Sequence, residues 1–220
     1  MGLVTEPPQG TCSRAYVQGG THKFDADGVV FYNKGLLPGY AALFRHPNDE
    51  VNFCTYIIPG NPKVTNDDLK YWHDYLMKSD PNVSKALGKN YKIENMKAGS
   101  LRLGGIDKSF DKQMLIVGDA AGMIDPMTGE GIHHAMEGGK IAATWLNAAI
   151  AKGNFSEEVF KGYHDEWKFR FGNDFAWSMN ICQILYRFPI LLDAAAQAVN
   201  RKGDQFLARW ADIMTGFLFN

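Results

Sequence analysis

At 220 residues, 45% hydrophobic and 21% charged, the chain has room for one sizeable core or two small ones, which excludes a disordered or low-complexity polypeptide. A net charge of −1 gives no general pull toward nucleic acid or anionic lipid, so neither is expected as a partner. The three cysteines, Cys12, Cys54 and Cys182, are widely spaced and odd in number; reduced thiols are expected, not a disulfide framework or a metal site.

The opening MGLVTEPPQG lacks the basic region and apolar run of a signal peptide, and Glu6 argues against myristoylation at Gly2. No apolar run reaches the roughly eighteen residues of a membrane span. The expected setting is intracellular, either soluble or peripheral to a membrane.

Residues 11–60 read as strands. The stretches 15–17, 29–32, 41–44 and 51–58 are short and rich in β-branched and aromatic residues, and Gly19-Gly20, Asp27-Gly28 and Asn48-Asp49 supply turns between them. The spacing predicts an antiparallel sheet. Residues 62–90 follow as helix: Thr65 is the expected cap, Asp67 and Asp68 make an acidic first turn, and Leu69, Trp72, Leu76 and Met77 form an inward stripe. Asp80-Pro81 restarts the chain and Gly88 ends it. His73 is expected on the helix surface, because no second metal-binding side chain keeps helical spacing with it. Residues 91–103 return to strand, and Gly104-Gly105 and a turn at Asp111-Lys112 lead to the next element.

That element is the centre of the sequence: MLIVGDAAGMIDPMTGEGIHHAMEGGKIAATWL, residues 114–146. The apolar run 114–117 closed by Gly118 reads as a buried strand. A glycine-rich loop follows, and from Ile132 an apolar face of Ile132, Ala135, Met136, Ile141, Ala142, Trp145 and Leu146 predicts a helix. Strand, glycine loop and helix start bring backbone and unpaired N–H groups close to a ligand, and favour an anion or a developing negative charge. Asp119, just past the strand, is placed to accept hydrogen bonds from sugar or polyol hydroxyls. The same pattern also occurs at turns that bind nothing, and Gly138-Gly139 also suits close helix packing.

The residues Gly118, Asp119, Ala120, Ala121 and Gly122, then Asp125-Pro126, Thr128-Gly129-Glu130-Gly131-Ile132 and Ala135, resemble the second flavin motif of the geranylgeranyl reductase family. These are FAD-dependent oxidoreductases with the para-hydroxybenzoate hydroxylase type of fold. Related monooxygenases and halogenases share GDAAG, whereas the TGEGI loop argues against halogenases. The resemblance implies FAD as cofactor, Asp119 on its ribityl or phosphate part, and residues 129–132 along its isoalloxazine ring, with the helix start at Ile132 facing negative charge. It also implies NAD(P)H as a possible electron donor and a hydrophobic, isoprenoid-like substrate. Catalytic residues stay open: Glu130, exposed between glycines, is the better candidate, and His133 and His134 are weighed against being plain early-helix residues.

In that family the antiparallel sheet is a substrate domain carrying PGYxWxFP. Pro38, Gly39, Tyr40 and Phe44 match, making Tyr40 and Phe44 substrate-pocket candidates, although core packing explains them equally well. Ala42 replaces the tryptophan, Arg45 the proline, and Phe53-Cys54-Thr55 a glycine-rich run, so the substrate does not carry over with the fold.

Beyond residue 150 helices are expected to the end. Ser156 caps, Glu157 and Glu158 follow, Val159, Tyr163, Trp167, Phe171 and Phe175 recur every four residues, Pro189 breaks the helix, and segments at 191–199 and 206–218 complete the region. The aromatic stripe reads as core, with a lipid or partner surface as the second reading.

The expected architecture is therefore α+β with an α/β part: a substrate-domain-like antiparallel sheet with a helical insert (1–103), the second half of a FAD-binding domain (104–152) and a helical C-terminal region (153–220). A first βαβ unit with GxGxxG, needed to hold the ADP half of FAD, has no counterpart in these residues. The strand at 114–117 should therefore lack neighbours and leave an unpaired edge. Three readings remain: one piece of a split oxidoreductase with a companion chain, a non-catalytic subunit of a larger complex, or part of an ordinary full-length enzyme.

Overall fold

The computed structural model describes residues 6–19, 24, 26–203 and 205. The chain divides into two compact units, residues 9–100, and residues 101 onward together with the stretch up to Pro8. The predicted turn residue Gly20 and the expected helix at 206–218 lie outside the described residues.

The first unit is a sheet with helices on one face. Strands β1 (Gly10–Gly19), β2 (Gly28–Phe31), β3 (Tyr40–His46), β4 (Glu50–Ile57) and β5 (Tyr91–Ile93) lie in the order β2-β3-β4-β1-β5, and β6 (Lys97–Leu101) also pairs with β1. The described β1–β5 pairings are antiparallel, with Thr11 opposite Ile57 and Gln18 opposite Glu50 in the central pair. Asn48 and Asp49 turn the chain between β3 and β4 at φ 65° and 55°, as short polar side chains permit.

Alternation divides the strands between two faces. Val17, Ala41, Leu43, Val51, Phe53 and Ile57 point to one side, where Leu69, Leu76 and Met77 of α1 (Leu69–Ser79) and Val83 and Leu87 of α2 (Pro81–Leu87) close the core. Asp68 accepts hydrogen bonds from the Thr65 amide (2.7 Å) and hydroxyl (3.0 Å) before α1. Asp80 caps α2 through the amides of Asn82 and Val83.

His73 corrects the expectation of a surface residue. It is 1% exposed, with Nδ1 2.8 Å from Ser13 Oγ and its ring 4.9 Å from that of Phe53. It stands one position from Trp72 on the stripe, and β1 offers it a hydroxyl partner there. Burial lowers its pKa to about 4, so it is neutral near pH 7.

The second unit packs loops and helices around aromatics. A two-residue strand β7 (Phe110–Asp111) pairs with β8 (Met114–Leu115); α3 (Ile132–Lys152), α4 (Glu157–Trp167), α5 (Asn173–Arg187) and α6 (Ile190–Lys202) follow. The expected buried strand over 114–117 is reduced to β8, and Val117 is 41% exposed. A buried strand needs neighbours on both edges and a cover on both faces, and β8 has one neighbour among the described residues.

The four-residue aromatic spacing is also resolved here. In a regular α-helix it would drift around the axis. A π-helical turn over Lys168–Gly172 widens the helix between α4 and α5, so that Tyr163, Trp167, Phe171 and Phe175 all enter one cluster with Met123 and Ile141.

Candidate functional site

After β8 the chain runs through extended Val117 into a tight 3-10 turn, Gly118–Ala121, closed by Gly122. Gly118 and Gly122 have φ of 61° and 70°, left-handed values that disfavour a side chain. Gly122 has a second constraint: a Cβ there would stand 2.9 Å from the Gly105 Cα. The amide of Gly105 donates to the Gly122 carbonyl (2.7 Å) and that of Ile106 to the Ala121 carbonyl (3.0 Å). Ala121 is thereby buried, while Asp119 and Ala120 stay on the open side.

Asp125 builds the second loop from inside. Oδ1 of this buried carboxylate accepts from the amides of Met127 (2.9 Å) and Thr128 (2.8 Å) and from the Thr128 hydroxyl (3.0 Å); Oδ2 accepts from Ser178 on α5. The Glu130 carbonyl accepts from the Asp125 amide (2.8 Å), and Gly129 turns at φ 69°. Asp125 and the equally buried Pro126 therefore brace the loop from behind, whereas Gly129, Glu130 and Gly131 form its outer rim.

The two loops meet. A Cβ on Gly131 would lie 3.3 Å from Asp119 Oδ1, 3.0 Å from Ile124 and 3.1 Å from the Met123 carbonyl. At this point α3 begins, with no side chain capping it at Gly131; the positive end of a 21-residue helix thus opens beside Asp119. An exposed carboxylate able to accept from hydroxyls, glycine backbone without side chains and an uncapped helix start fit the ribityl and ring portions of a flavin. They do not provide the glycine-rich βαβ turn that an ADP portion requires.

Glu130 and His133 are both exposed, with Oε2 3.6 Å from Nδ1. His134 turns inward, its ring 4.7 Å from Phe175 and 5.2 Å from Phe171. Burial and the neighbouring His133 lower its pKa to about 4. A proton donor working near neutral pH would need a higher value. Ile132, expected along the flavin ring, is 82% exposed. Met136 and Leu146 are exposed as well, while Ile141 is buried. Gly105 and Ser178 support the site without any sequence signal for that role; a lone serine within a helix carries no motif.

Tyr40 and Phe44 belong to the sheet unit, on the face opposite its helices. The Tyr40 ring lies 5.4 Å from that of Tyr56 and 6.1 Å from that of Tyr32; Phe44 pairs with Asn52 and is 44% exposed. Arg14 stacks 4.5 Å above Tyr16 on this face. Of the departures from PGYxWxFP, Ala42 is buried, Arg45 lies over Phe24, and Phe53 points into the helix-side core. Gly39 is required by packing, since a Cβ there would come within 2.4 Å of the Tyr56 carbonyl.

Known proteins resemble this chain in sequence and in fold. The tryptophan halogenase family profile matches residues 77–178, a span that includes the TGEGI loop. Conditioned medium factor receptor 1 of Dictyostelium discoideum is 54% identical over 216 residues, 98% of this chain and 42% of its own length. Digeranylgeranylglycerophospholipid reductase of Methanococcus vannielii is 36% identical over 66% of this chain and 35% of its own length. A geranylgeranyl bacteriochlorophyll reductase-like protein of Thermoplasma acidophilum has the same fold, with a TM-score of 0.65 at 19% identity over 97% of this chain and 57% of that one. The chain thus spans about two fifths of the curated relatives it matches. No helix among the described residues is long and apolar enough to cross a membrane.

Proposed function

We propose, from the likeness to digeranylgeranylglycerophospholipid reductase, of which this chain spans about a third, that residues 118–132 are the flavin-contacting part of an oxidoreductase that saturates an alkene of an isoprenoid-like substrate. FAD, when bound, supplies the hydride chemistry, with NAD(P)H as the proposed donor. The observation that carries the reading is the meeting of Asp119 with Gly131 at the open start of α3.

Each residue has a definable task. Asp119 accepts hydrogen bonds from the ribityl hydroxyls. Residues 129–131 offer backbone to the ring without steric cost, and the first turn of α3 stabilises negative charge developing there. Asp125 and Ser178 hold the loop to α5. Glu130 is the candidate for moving a proton to the substrate carbon, with His133 beside it. Tyr40 and Phe44 are proposed for the apolar substrate pocket.

A second reading, a non-catalytic subunit or recognition protein, is favoured by the receptor name of the 54% identical relative and by the altered residues at 42, 45 and 53–55. The visible absorption spectrum of protein purified from its native source, with the masses of co-purifying chains, separates the two. Bound flavin whose occupancy falls in Asp119→Ala supports the oxidoreductase. Protein without flavin, in stable association with other subunits, supports the second reading instead.

A further inference from the structure

α4, the π-helical turn and α5 run on as one helix from Glu157 to Arg187. Its buried residues Phe160, Tyr163, Trp167, Phe171, Phe175 and Ser178 are separated by steps of three, four, four, four and three. With one residue fewer between Trp167 and Phe171 the steps would alternate three, four, three, four, three, the spacing of a single face in a regular α-helix. The π-helical turn therefore holds one residue more than the core needs, and such turns are rare and recur at functional positions. What the extra residue serves stands on the outer side of the turn. There Lys168 lies back over the Trp167 ring, 4.7 Å from its centre, and Phe169 is 84% exposed, whereas Arg170 reaches across to α3.

The Arg170 guanidinium spans two helices. Nη1 donates to Glu137 on α3 and Nη2 to Glu166 on α4, both at 2.6 Å. Glu166 is held in turn by Trp145, about two turns further along α3, whose indole Nε1 donates to the other carboxylate oxygen (2.7 Å). An isolated exposed pair contributes little, since two free side chains must be ordered to form it. Here a planar fork meets two carboxylates at once, one of them already fixed.

The part of α3 that Arg170 grips is the part least able to hold itself. Gly131 precedes it without a side-chain cap. Gly138 and Gly139 follow Glu137, and a glycine within a helix costs about 1 kcal/mol relative to alanine. Gly138 is required by Met123, whose sulfur would lie 2.4 Å from a Cβ; at Gly139 a Cβ would meet nothing within 4 Å, so packing does not account for it. Between these glycines Ile132, His133 and Met136 are exposed. The π-helical turn supplies a second hold here, with the Phe171 ring 5.2 Å from that of His134.

We propose that the π-helical turn is a clamp on the first turns of α3, with Arg170 as the positioning residue that keeps residues 132–137 helical and the uncapped helix start beside Asp119. That the aligned start serves a flavin rests on the function proposed above; the clamp itself does not.

The test is hydrogen exchange of the peptide spanning 132–140, in the full protein from its native source, with and without added FAD. The Ala135 amide closes the first turn on the Gly131 carbonyl (2.8 Å). In Arg170→Ala, exchange of the amides from 135 to 137 should rise about fivefold. Lys161→Ala, which removes an exposed pair with Asp165 on the same helix, should leave it unchanged, and Arg170→Lys, a point charge in place of a fork, should restore only part of the protection. Unchanged exchange in Arg170→Ala, or a rise spread evenly over residues 101–203 with a lowered melting temperature, overturns the proposal. Where FAD is bound, Arg170→Ala should shift the flavin midpoint potential to a more negative value, because the helix start no longer steadies charge on the reduced ring; an unchanged potential beside raised exchange overturns the positioning role. A parent protein that takes up no FAD, with exchange still raised in Arg170→Ala, would keep the clamp and sink the flavin reading alone.

Discussion

Ser178, in the middle of α5, donates its hydroxyl to the carboxylate of Asp125, whose other oxygen holds the amides of Met127 and Thr128. One buried carboxylate therefore fastens the glycine loop to the C-terminal helices. Ser178→Ala leaves a buried oxygen short of a donor, and a cost of about 1–3 kcal/mol is expected. Thermal or urea unfolding measures it, and flavin retention should fall in the same variant; unchanged stability would remove Asp125 from its bracing role.

Gly122→Ala should be more damaging than an ordinary glycine substitution. The residue sits at φ 70°, and a Cβ there would stand 2.9 Å from the Gly105 Cα. Strain of about 1–3 kcal/mol from the dihedral adds to the collision, so a loss of soluble folded protein or a strongly lowered midpoint is expected. Gly139→Ala, where a Cβ meets nothing, serves as the comparison and should raise helix stability slightly.

His73 makes stability depend on pH in a defined direction. Its folded pKa is lowered by burial to about 4, below the free value of 6.5, so the unfolded chain binds the extra proton between those values. Its contribution is complete above about pH 6.5 and is lost as pH falls toward 4. His73→Gln should flatten the difference in melting temperature between pH 7 and pH 4.5 relative to the parent protein. Parallel curves would show that another group carries the dependence.

Cys12 and Cys54 share one face of the β1–β4 pair, yet they are diagonal neighbours: Cys12 stands opposite Tyr56 and Cys54 opposite Arg14. Each thiol shifts the other, the pKa of Cys12 being lowered and that of Cys54 raised. Diagonal positions lie roughly 7–8 Å apart, wider than a disulfide spans. After mild oxidation and unfolding, all three thiols should still react with a thiol reagent. A loss of two would show that the strands shift enough to join them.

Several features of this protein are contained in local sequence. Alternation of apolar residues between turn residues marked β1 to β4, Pro189 divided α5 from α6, and the glycines of 118–131 with Asp119 marked the loops at which backbone comes close to a ligand. These are short-range effects, set by dihedral preference and by period. Tertiary structure decided the rest. His73 became a core residue because β1 presents Ser13 to it, and Asp125 became a brace because Ser178 arrives from a helix 53 positions away. The four-residue aromatic spacing found its meaning only through the π-helical turn at 168–172. Period alone puts Ile132, Met136 and Leu146 on one apolar face with Ile141, and it identifies such a face without saying what covers it. Cover depends on neighbours remote in sequence, and for α3 the described neighbours bury the face of Gly138, Ile141 and Ala149 instead.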